Sequence, residues 1–309
     1  MPFPPLVVIA GATATGKTGL SIRLAQWLRA SGHEAEIVSA DSRQVYRGLD
    51  VGTAKATVAQ RRGIAHHGLD LVEPDVAFSV ADYAGHARAA LAGIAERGAV
   101  ALLVGGTGLY LRAVARGLAT EELPSDPAVR ARLETDLAAD GVAALADRLA
   151  ALAPRLASRI DRQNPRRVVR ALEIAEIQGD RPLPASTGYP AAVTWLGLQT
   201  EPAIQASWIA ERARTQFGGG LLDEAAGLRA RFDPSLPAFS AIGYREAWDV
   251  LDGRSSLDEA VAADTQRNVA FAKRQRTWFR SEPGIAWLDA AADPEPGARS
   301  IVTAFLAAG

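Results

Sequence analysis

The sequence contains no cysteine, which excludes disulfides and thiolate metal sites. It has no run of about 18 apolar residues, the length that a membrane-spanning helix requires. No basic region precedes the first apolar run, which starts at Leu6 and leads directly into a glycine-rich loop. A core strand is expected there, not a signal peptide, and the expected compartment is the cytoplasm. Charge of one sign is also missing: 34 basic against 35 acidic residues leave a net −1. That balance alone argues against a nucleic-acid binder. No internal repeat, coiled coil or low-complexity tract is present, and no stretch argues for more than a monomer.

What remains describes an ordinary globular chain with ample core, 309 residues long and 48% hydrophobic. Its length suggests about two domains, or one large domain with an insertion. The basic residues are unevenly placed. Seven arginines (148, 155, 159, 162, 166, 167 and 170) lie between Arg148 and Arg170 against one acid, Asp161. A second group, Lys273, Arg274, Arg276 and Arg280, flanks Trp278 and Phe279. Such groups can form a footprint for a phosphate backbone, and a solvated helix face has the same pattern.

The chain is organised around residues 6–18. An apolar run from Leu6 to Ala10 reads as a buried strand, and helix formers resume at Thr18 and continue to about Ala30. Between them Gly11, Gly16, Lys17 and Thr18 spell G-x-x-x-x-G-K-T in the strand–turn–helix context that the phosphate-binding loop requires. Glycines let successive N–H groups point inward, and the following helix adds its positive dipole end. Lys17 supplies an ammonium for phosphate oxygens, and the Thr18 hydroxyl can ligate Mg²⁺. A glycine-rich turn with a chance lysine would lack this context.

A second strand is expected over Glu36–Ala40, ending at Asp41. The strand–helix–strand unit calls for a right-handed crossover and a parallel sheet, with Asp41 on the same carboxyl edge as the loop, where open α/β sheets place ligands. A strand is expected from His66 to Val72, its adjacent histidines structural because no metal-ligand spacing completes a set. Ser79 and Asp82 stand in capping-box positions for a helix running to about Arg97, and residues 98–104 read as a buried strand. After that strand an NTPase would commonly carry a Mg²⁺-holding aspartate; here the position is Gly105. From about 112 to 181 the pattern turns to long Ala-, Leu- and Arg-rich helices broken at Pro124, Pro154 and Pro165, read as a helical insertion. Strand character returns at 194–199. Helices are then expected over 203–216, 221–231, 240–251 and 257–280, followed by a strand at 285–288 and a terminal helix. The fold class is α/β: a P-loop NTPase-like core (1–111 and 182–309) with a parallel sheet flanked by helices, and a helical insertion domain (112–181).

Several stretches together resemble the tRNA dimethylallyltransferases, or isopentenyl transferases, over nearly the whole chain. They are Gly11–Thr18, Ser39–Gly48, Val51–Lys55, Phe78–Asp82, Gly105–Tyr110, Asn164–Leu172, Ala241–Arg245 and Ala272–Arg280. The resemblance implies transfer of the dimethylallyl group of dimethylallyl diphosphate to N6 of the adenine just 3′ of the tRNA anticodon. It implies that the loop (Gly11, Ala12, Thr13, Ala14, Thr15, Gly16, Lys17, Thr18) holds the donor's diphosphate with Mg²⁺ on Thr18, in keeping with the missing carboxylate at Gly105. Asp41 looks like the general base that takes the amine proton. Thr13 and Arg212 would bind the diphosphate and stabilise the departing charge. Asp41, Ser42, Arg43 and Gln44 would touch the flipped adenine and its neighbours. Thr107, Arg130, Gln163, Asn164, Pro165, Arg166 and Arg167 would contact tRNA, with the helical insertion gripping the anticodon stem-loop. The chain departs from the family pattern at Ala12 and Thr15, where proline and serine are frequent, and at Asn268 and Val269, where Thr-Arg is frequent. A small-molecule kinase or an adenylate prenyltransferase would share the loop, and a non-catalytic RNA-binding module would keep it for structure alone.

Overall fold

The computed structural model describes residues 3–308. The first apolar run forms β1 (Leu6–Gly11), buried along its whole length. Leu6, Val8 and Ala10 enter one core and Val7 and Ile9 the other, so the run is continuous because both sheet faces are covered. The helix α1 (Lys17–Ala30) returns the chain to β2 (Ala35–Ser39), and a single turn, α2 (Val58–Arg61), precedes β3 (His66–His67). The helix α3 (Val80–Glu96) opens with the reciprocal Ser79–Asp82 capping box. Next come β4 (Val100–Gly105) and α4 (Gly108–Ala115). Three helices follow, α5 (Pro127–Leu152), α6 (Pro154–Ala157) and α7 (Pro165–Gln178). Each starts on a proline, whose fixed φ and missing N–H suit that position. The chain then forms β5 (Val193–Gln199), α8 (Pro202–Gly218), α9 (Leu221–Arg229), a 3₁₀ turn (Pro237–Ser240), α10 (Tyr244–Leu251), α11 (Leu257–Arg280), β6 (Ile285–Asp289) and α12 (Glu295–Ala307).

The six strands pair in the order β3-β2-β4-β1-β5-β6, every pairing parallel. One core lies under α3, α4 and the helices from α8 to α11; the other lies under α1 and α12. The chain divides into two compact units. One holds the sheet and runs up to Gly117 and again from Gly188; the other is Leu118–Thr187. Because Tyr110, Leu111 and Val114 of α4 are buried in the sheet's core, that helix belongs to the first unit. The second unit has its own apolar core, built by Leu133, Leu145, Leu149, Val168 and Leu172 among others.

Two expected elements differ. The strand foreseen over His66–Val72 is only His66–His67. Gly68 turns away with a positive φ where a Cβ would lie 2.6 Å from the Ser39 carbonyl oxygen, and Asp70 also takes a positive φ of 55°. The helix foreseen over 240–251 starts only at Tyr244, since Gly243 at φ 109° interrupts it after the 3₁₀ turn. His67 bonds the nearly buried Glu36 at 2.7 Å, and Arg97 holds the same carboxylate.

Candidate active site

The glycine-rich loop leaves β1 and curls through left-handed Ala14 (φ 61°) and Gly16 (φ 79°) into α1. The amides of Ala14, Thr15, Gly16, Lys17 and Thr18 have no acceptor among the described residues. They form, with the helix N-terminus, a set of donors suited to an anion. Thr15 Oγ1 and Lys17 Nζ both donate to the Ala12 carbonyl, at 2.9 and 2.7 Å. Burial lowers the Lys17 ammonium to about 8, with Asp41 opposing the shift and Arg212 adding to it.

The loop is held from α8 and α11. Gln205 Nε2 donates to the Thr13 carbonyl at 2.7 Å, and Gln275 Oε1 accepts from the Thr13 amide at 2.8 Å. Arg212 donates through Nη1 to Thr13 Oγ1 at 2.7 Å and through Nη2 to Asn268 Oδ1 at 3.1 Å. Asn268 in turn donates to Asp264 at 2.8 Å, a carboxyl that burial raises to about 6. Desolvation lowers Arg212 from its ordinary range, and its Nε is buried without a partner. Asn268, one of the two positions that depart from the frequent Thr-Arg pair, thus fixes Arg212. Val269 joins a small apolar cluster with Ala12, Ile209 and Ala272. Gln205 and Asp264 carry no sequence signal of their own, and Gln275 lies in the Ala272–Arg280 stretch with no role assigned to it there. They are polar residues buried on helices, and only the fold brings them to the loop.

Asp41 follows β2 on the same carboxyl edge. Its Oδ1 accepts from the Arg43 amide at 2.8 Å and, weakly, from the Gln44 amide at 3.4 Å. It therefore caps its own turn, yet Oδ2 has no partner among the described residues. Ser42 N donates to Thr107 Oγ1 at 3.0 Å, Arg43 reaches the Pro237 carbonyl at 2.8 Å, and Gln44 bridges Ser39 Oγ and the Thr53 carbonyl. A cleft of about 1120 Å³ is lined by Thr13, Lys17, Thr18, Asp41, Gln44 and Arg212, among others. The structure therefore brings together the loop, Asp41, Gln44 and Arg212. The Thr18 hydroxyl donates to no described residue and faces this cleft.

The missing aspartate after β4 has a steric cause. A Cβ at Gly105 would lie 2.1 Å from the Ala40 carbonyl oxygen, one at Gly106 2.4 Å from Gln275, and one at Gly108 2.4 Å from the Trp278 ring. Gly105 is thus set by close approach of backbone, and Gly106 and Gly108 by the Gln275 and Trp278 side chains packed against them. No carboxylate can stand where an NTPase would carry one.

Arg130, Gln163, Asn164, Pro165, Arg166 and Arg167 all lie in the second unit. Arg130 makes a bidentate pair with Glu173, a fully buried carboxylate that Arg170 also contacts at 2.7 Å. Asn164 caps α7 through the Arg167 amide, and Pro165 is its first residue. Arg148 pairs with Asp136 and Glu176, and Arg162 with Asp147. Arg155, Arg159, Arg166 and Arg167 are exposed, and their guanidinia pair with no described residue. In the C-terminal basic group, Phe279 is core, Trp278 packs on Gly108 beneath Arg112, and Arg276 bonds Gln205.

Fold and site together define an α/β P-loop protein whose phosphate loop faces a carboxylate across a cleft but lacks an NTPase's metal-holding acid. The family described as IPP transferase matches residues 44–282, and the one described as isopentenyl transferase matches residues 4–70. The chain belongs to the IPP transferase family and is a prenyltransferase. It is 45% identical over 309 residues to a tRNA dimethylallyltransferase of Roseiflexus sp. (strain RS-1), covering 98% of this chain and 99% of the relative. A second tRNA dimethylallyltransferase, from Anaeromyxobacter sp. (strain K), is 47% identical over 304 residues, covering 96% of this chain and 97% of that protein. Among solved structures, the full-length tRNA isopentenylpyrophosphate transferase of Bacillus halodurans superposes with a TM-score of 0.70 at 38% identity, covering 98% of this chain and 96% of that one. A eukaryotic dimethylallyltransferase solved while acting on tRNA shares the fold, with a TM-score of 0.79 at 23% identity over 98% of this chain and 80% of that one. Among the described residues no helix is long and apolar enough to cross a membrane.

Proposed function

We propose that the protein transfers the dimethylallyl group of dimethylallyl diphosphate to N6 of the adenine 3′-adjacent to the tRNA anticodon, releasing diphosphate. The observation that carries this reading is the cleft itself. A loop of unpaired amides with Lys17 and Arg212 lies on one side, and the unpartnered Oδ2 of Asp41 lies on the same sheet edge. A nucleoside triphosphate kinase is disfavoured by the close approach of Gly105 to Ala40. The relatives' names supply tRNA as acceptor.

In this reading the new C–N bond forms as the donor's C–O bond breaks, and diphosphate leaves with the electron pair. The adenine amine is a poor nucleophile until it loses a proton, and Asp41 Oδ2 accepts that proton while Oδ1 stays fixed on the Arg43 amide. Charge building on the leaving oxygens meets donors already in place: the loop amides, Lys17 and Arg212. Mg²⁺ fits the Thr18 hydroxyl, because a hard cation that keeps its waters and takes diphosphate oxygens needs few protein ligands. When bound it would neutralise diphosphate charge. Ser42, Arg43, Gln44 and Thr107 would receive the extruded adenine and its neighbours. That extrusion costs a few kcal/mol at most, since the base sits in a loop. The segment 163–167 would meet the RNA backbone, and Arg130, whose Nε and Nη2 are held by Glu173, would reach it only through Nη1. This reading takes the enzyme as a monomer acting on tRNA in the cytoplasm.

The test is a transfer assay with radiolabelled dimethylallyl diphosphate, Mg²⁺ and tRNA, run beside Asp41→Ala. Label should enter tRNA with the wild type and fall at least about 10²-fold in the variant, within the range for loss of a general base. Label appearing in AMP or ADP but not in tRNA would replace this reading with a small-molecule prenyltransferase.

A further inference from the structure

We infer that Glu224, on α9, is a positioning residue for the acceptor side of the site, acting through the backbone of residues 50–53. The inference rests on the proposed reading of Asp41 and Gln44. Its basis is a carboxylate whose whole accepting capacity is spent on one loop. Glu224 Oε2 accepts from the amides of Asp50 (3.1 Å) and Val51 (2.7 Å). Its Oε1 accepts from the Gly52 amide (3.0 Å) and the Tyr244 hydroxyl (2.7 Å). Three consecutive amides and a phenol occupy the roughly four lone-pair sites a carboxylate offers.

The loop's other side is held too. Gln216 donates to the carbonyls of Val51 and Gly52 at 2.6 and 3.0 Å. The Tyr244 ring fills the space a side chain at Gly52 would need, 2.6 Å from its Cβ position. The next residue, Thr53, turns its carbonyl to the Gln44 carboxamide at 3.1 Å, whose oxygen accepts from Ser39 Oγ. The Gln44 amide then meets Asp41 Oδ1 at 3.4 Å. A continuous path of hydrogen bonds therefore runs from Glu224 through the loop to Gln44 and the carboxylate. The phosphate loop is fastened by a separate set, Gln205, Gln275 and Arg212.

This separation sets the expected phenotype. Loosening residues 50–53 releases Gln44 and the turn that orients Asp41, while the diphosphate cradle keeps its supports. Glu224→Gln keeps the side chain's shape but turns an NH₂ toward backbone N–H donors. In the full-length enzyme, donor affinity without tRNA should stay at its wild-type value, while the melting temperature falls because backbone donors lose their acceptor. The kcat/KM for tRNA should fall roughly 10–100-fold, the scale expected for slight misplacement of reacting groups. Hydrogen exchange at the amides of 50–52 should quicken locally. Tyr244→Phe, which removes one of the four donors, should shift the same quantities less and in the same direction. It also keeps the test open if Glu224→Gln does not fold.

Unchanged kcat/KM in both variants would overturn the inference. So would donor affinity falling in parallel with the kcat/KM for tRNA, the signature of a merely structural contact. A wild type that binds donor but transfers nothing to tRNA would count against the proposed function instead, and the exchange at residues 50–52 would still report on the Glu224 contact.

Discussion

Arg212 donates to Thr13 Oγ1 at 2.7 Å, so a guanidinium on α8 is fixed to the tip of a loop 199 residues earlier. Its other arm is held by Asn268, and its Nε is buried with no acceptor among the described residues. A buried donor left unsatisfied costs about 1–3 kcal/mol, and an anionic ligand in the adjoining cleft is the group that would satisfy it. Arg212→Ala should lower kcat by roughly 10²–10³-fold, the cost of removing one oriented donor to developing charge. Thr13→Ala should cost less, because it removes the anchor and leaves the guanidinium. The double variant should show a coupling of about 0.5–3 kcal/mol, as contacting residues do. Additive effects in kinetic measurements would mean that the two residues act independently.

Lys17 gives the reaction a pH limit. Its ammonium is held down to about 8 by burial, and in the proposed function it is the protonated form that holds the diphosphate. The base has its charge below that value and loses it above. Donor affinity should therefore be flat in the acidic to neutral range, then fall about tenfold per pH unit above about 8, by the linkage between protonation and binding. Calorimetric titration of dimethylallyl diphosphate from about pH 6 to about pH 9.5 reads this directly. An affinity that stays constant to the alkaline end would show that the ammonium is not needed.

Gly105 tests the reason for the missing acid. Any side chain there places Cβ 2.1 Å from the carbonyl oxygen of Ala40, whose own amide is bonded to the Val104 carbonyl at 2.7 Å. Gly105→Ala should therefore destabilise the protein by about 3 kcal/mol or more, beyond the usual overpacking cost of 1–3. Denaturant unfolding would measure it. Gly105→Asp should confer no ATP hydrolysis, since the strand end cannot accept the residue. A folded Gly105→Ala protein of wild-type stability would refute the steric account.

Much of this was legible in the sequence because it depends on local order. The phosphate loop declares itself through glycine spacing between a strand and a helix, and α3 through the Ser79–Asp82 box. The prolines at 154 and 165, expected as breaks, stand at helix starts for equally local reasons, whereas α5 starts at Pro127 and not at Pro124. What was not legible depends on distant contacts. Nothing near Gln275 or Gln205 says that each will grip Thr13, and nothing near Glu224 says that it will collect the amides of 50–52. The two-residue length of β3 has the same kind of cause. An apolar stretch after His67 resembles a strand until Gly68 is required to pass against Ser39.

The arginine run of the second unit divides by partner, and that division predicts which members bind RNA. Arg148 and Arg162 are paired with acids of their own unit, and Arg170 is bound to the buried Glu173. Arg166 and Arg167, in contrast, stand exposed in the first turn of α7 with no described side-chain partner, where the helix dipole disfavours cations. Two positive charges at that end cost stability to the folded chain, and a phosphate would reverse the balance by meeting both them and the helix N-terminus. Removing each as alanine should lower the slope of log affinity against log salt for tRNA by roughly 1, with little change in melting temperature. Arg148→Ala should do the opposite, weakening the fold of its unit and leaving the salt slope alone. Filter-binding titrations at several salt concentrations separate the two outcomes. A slope insensitive to Arg166 and Arg167 would move the RNA contact elsewhere on the protein.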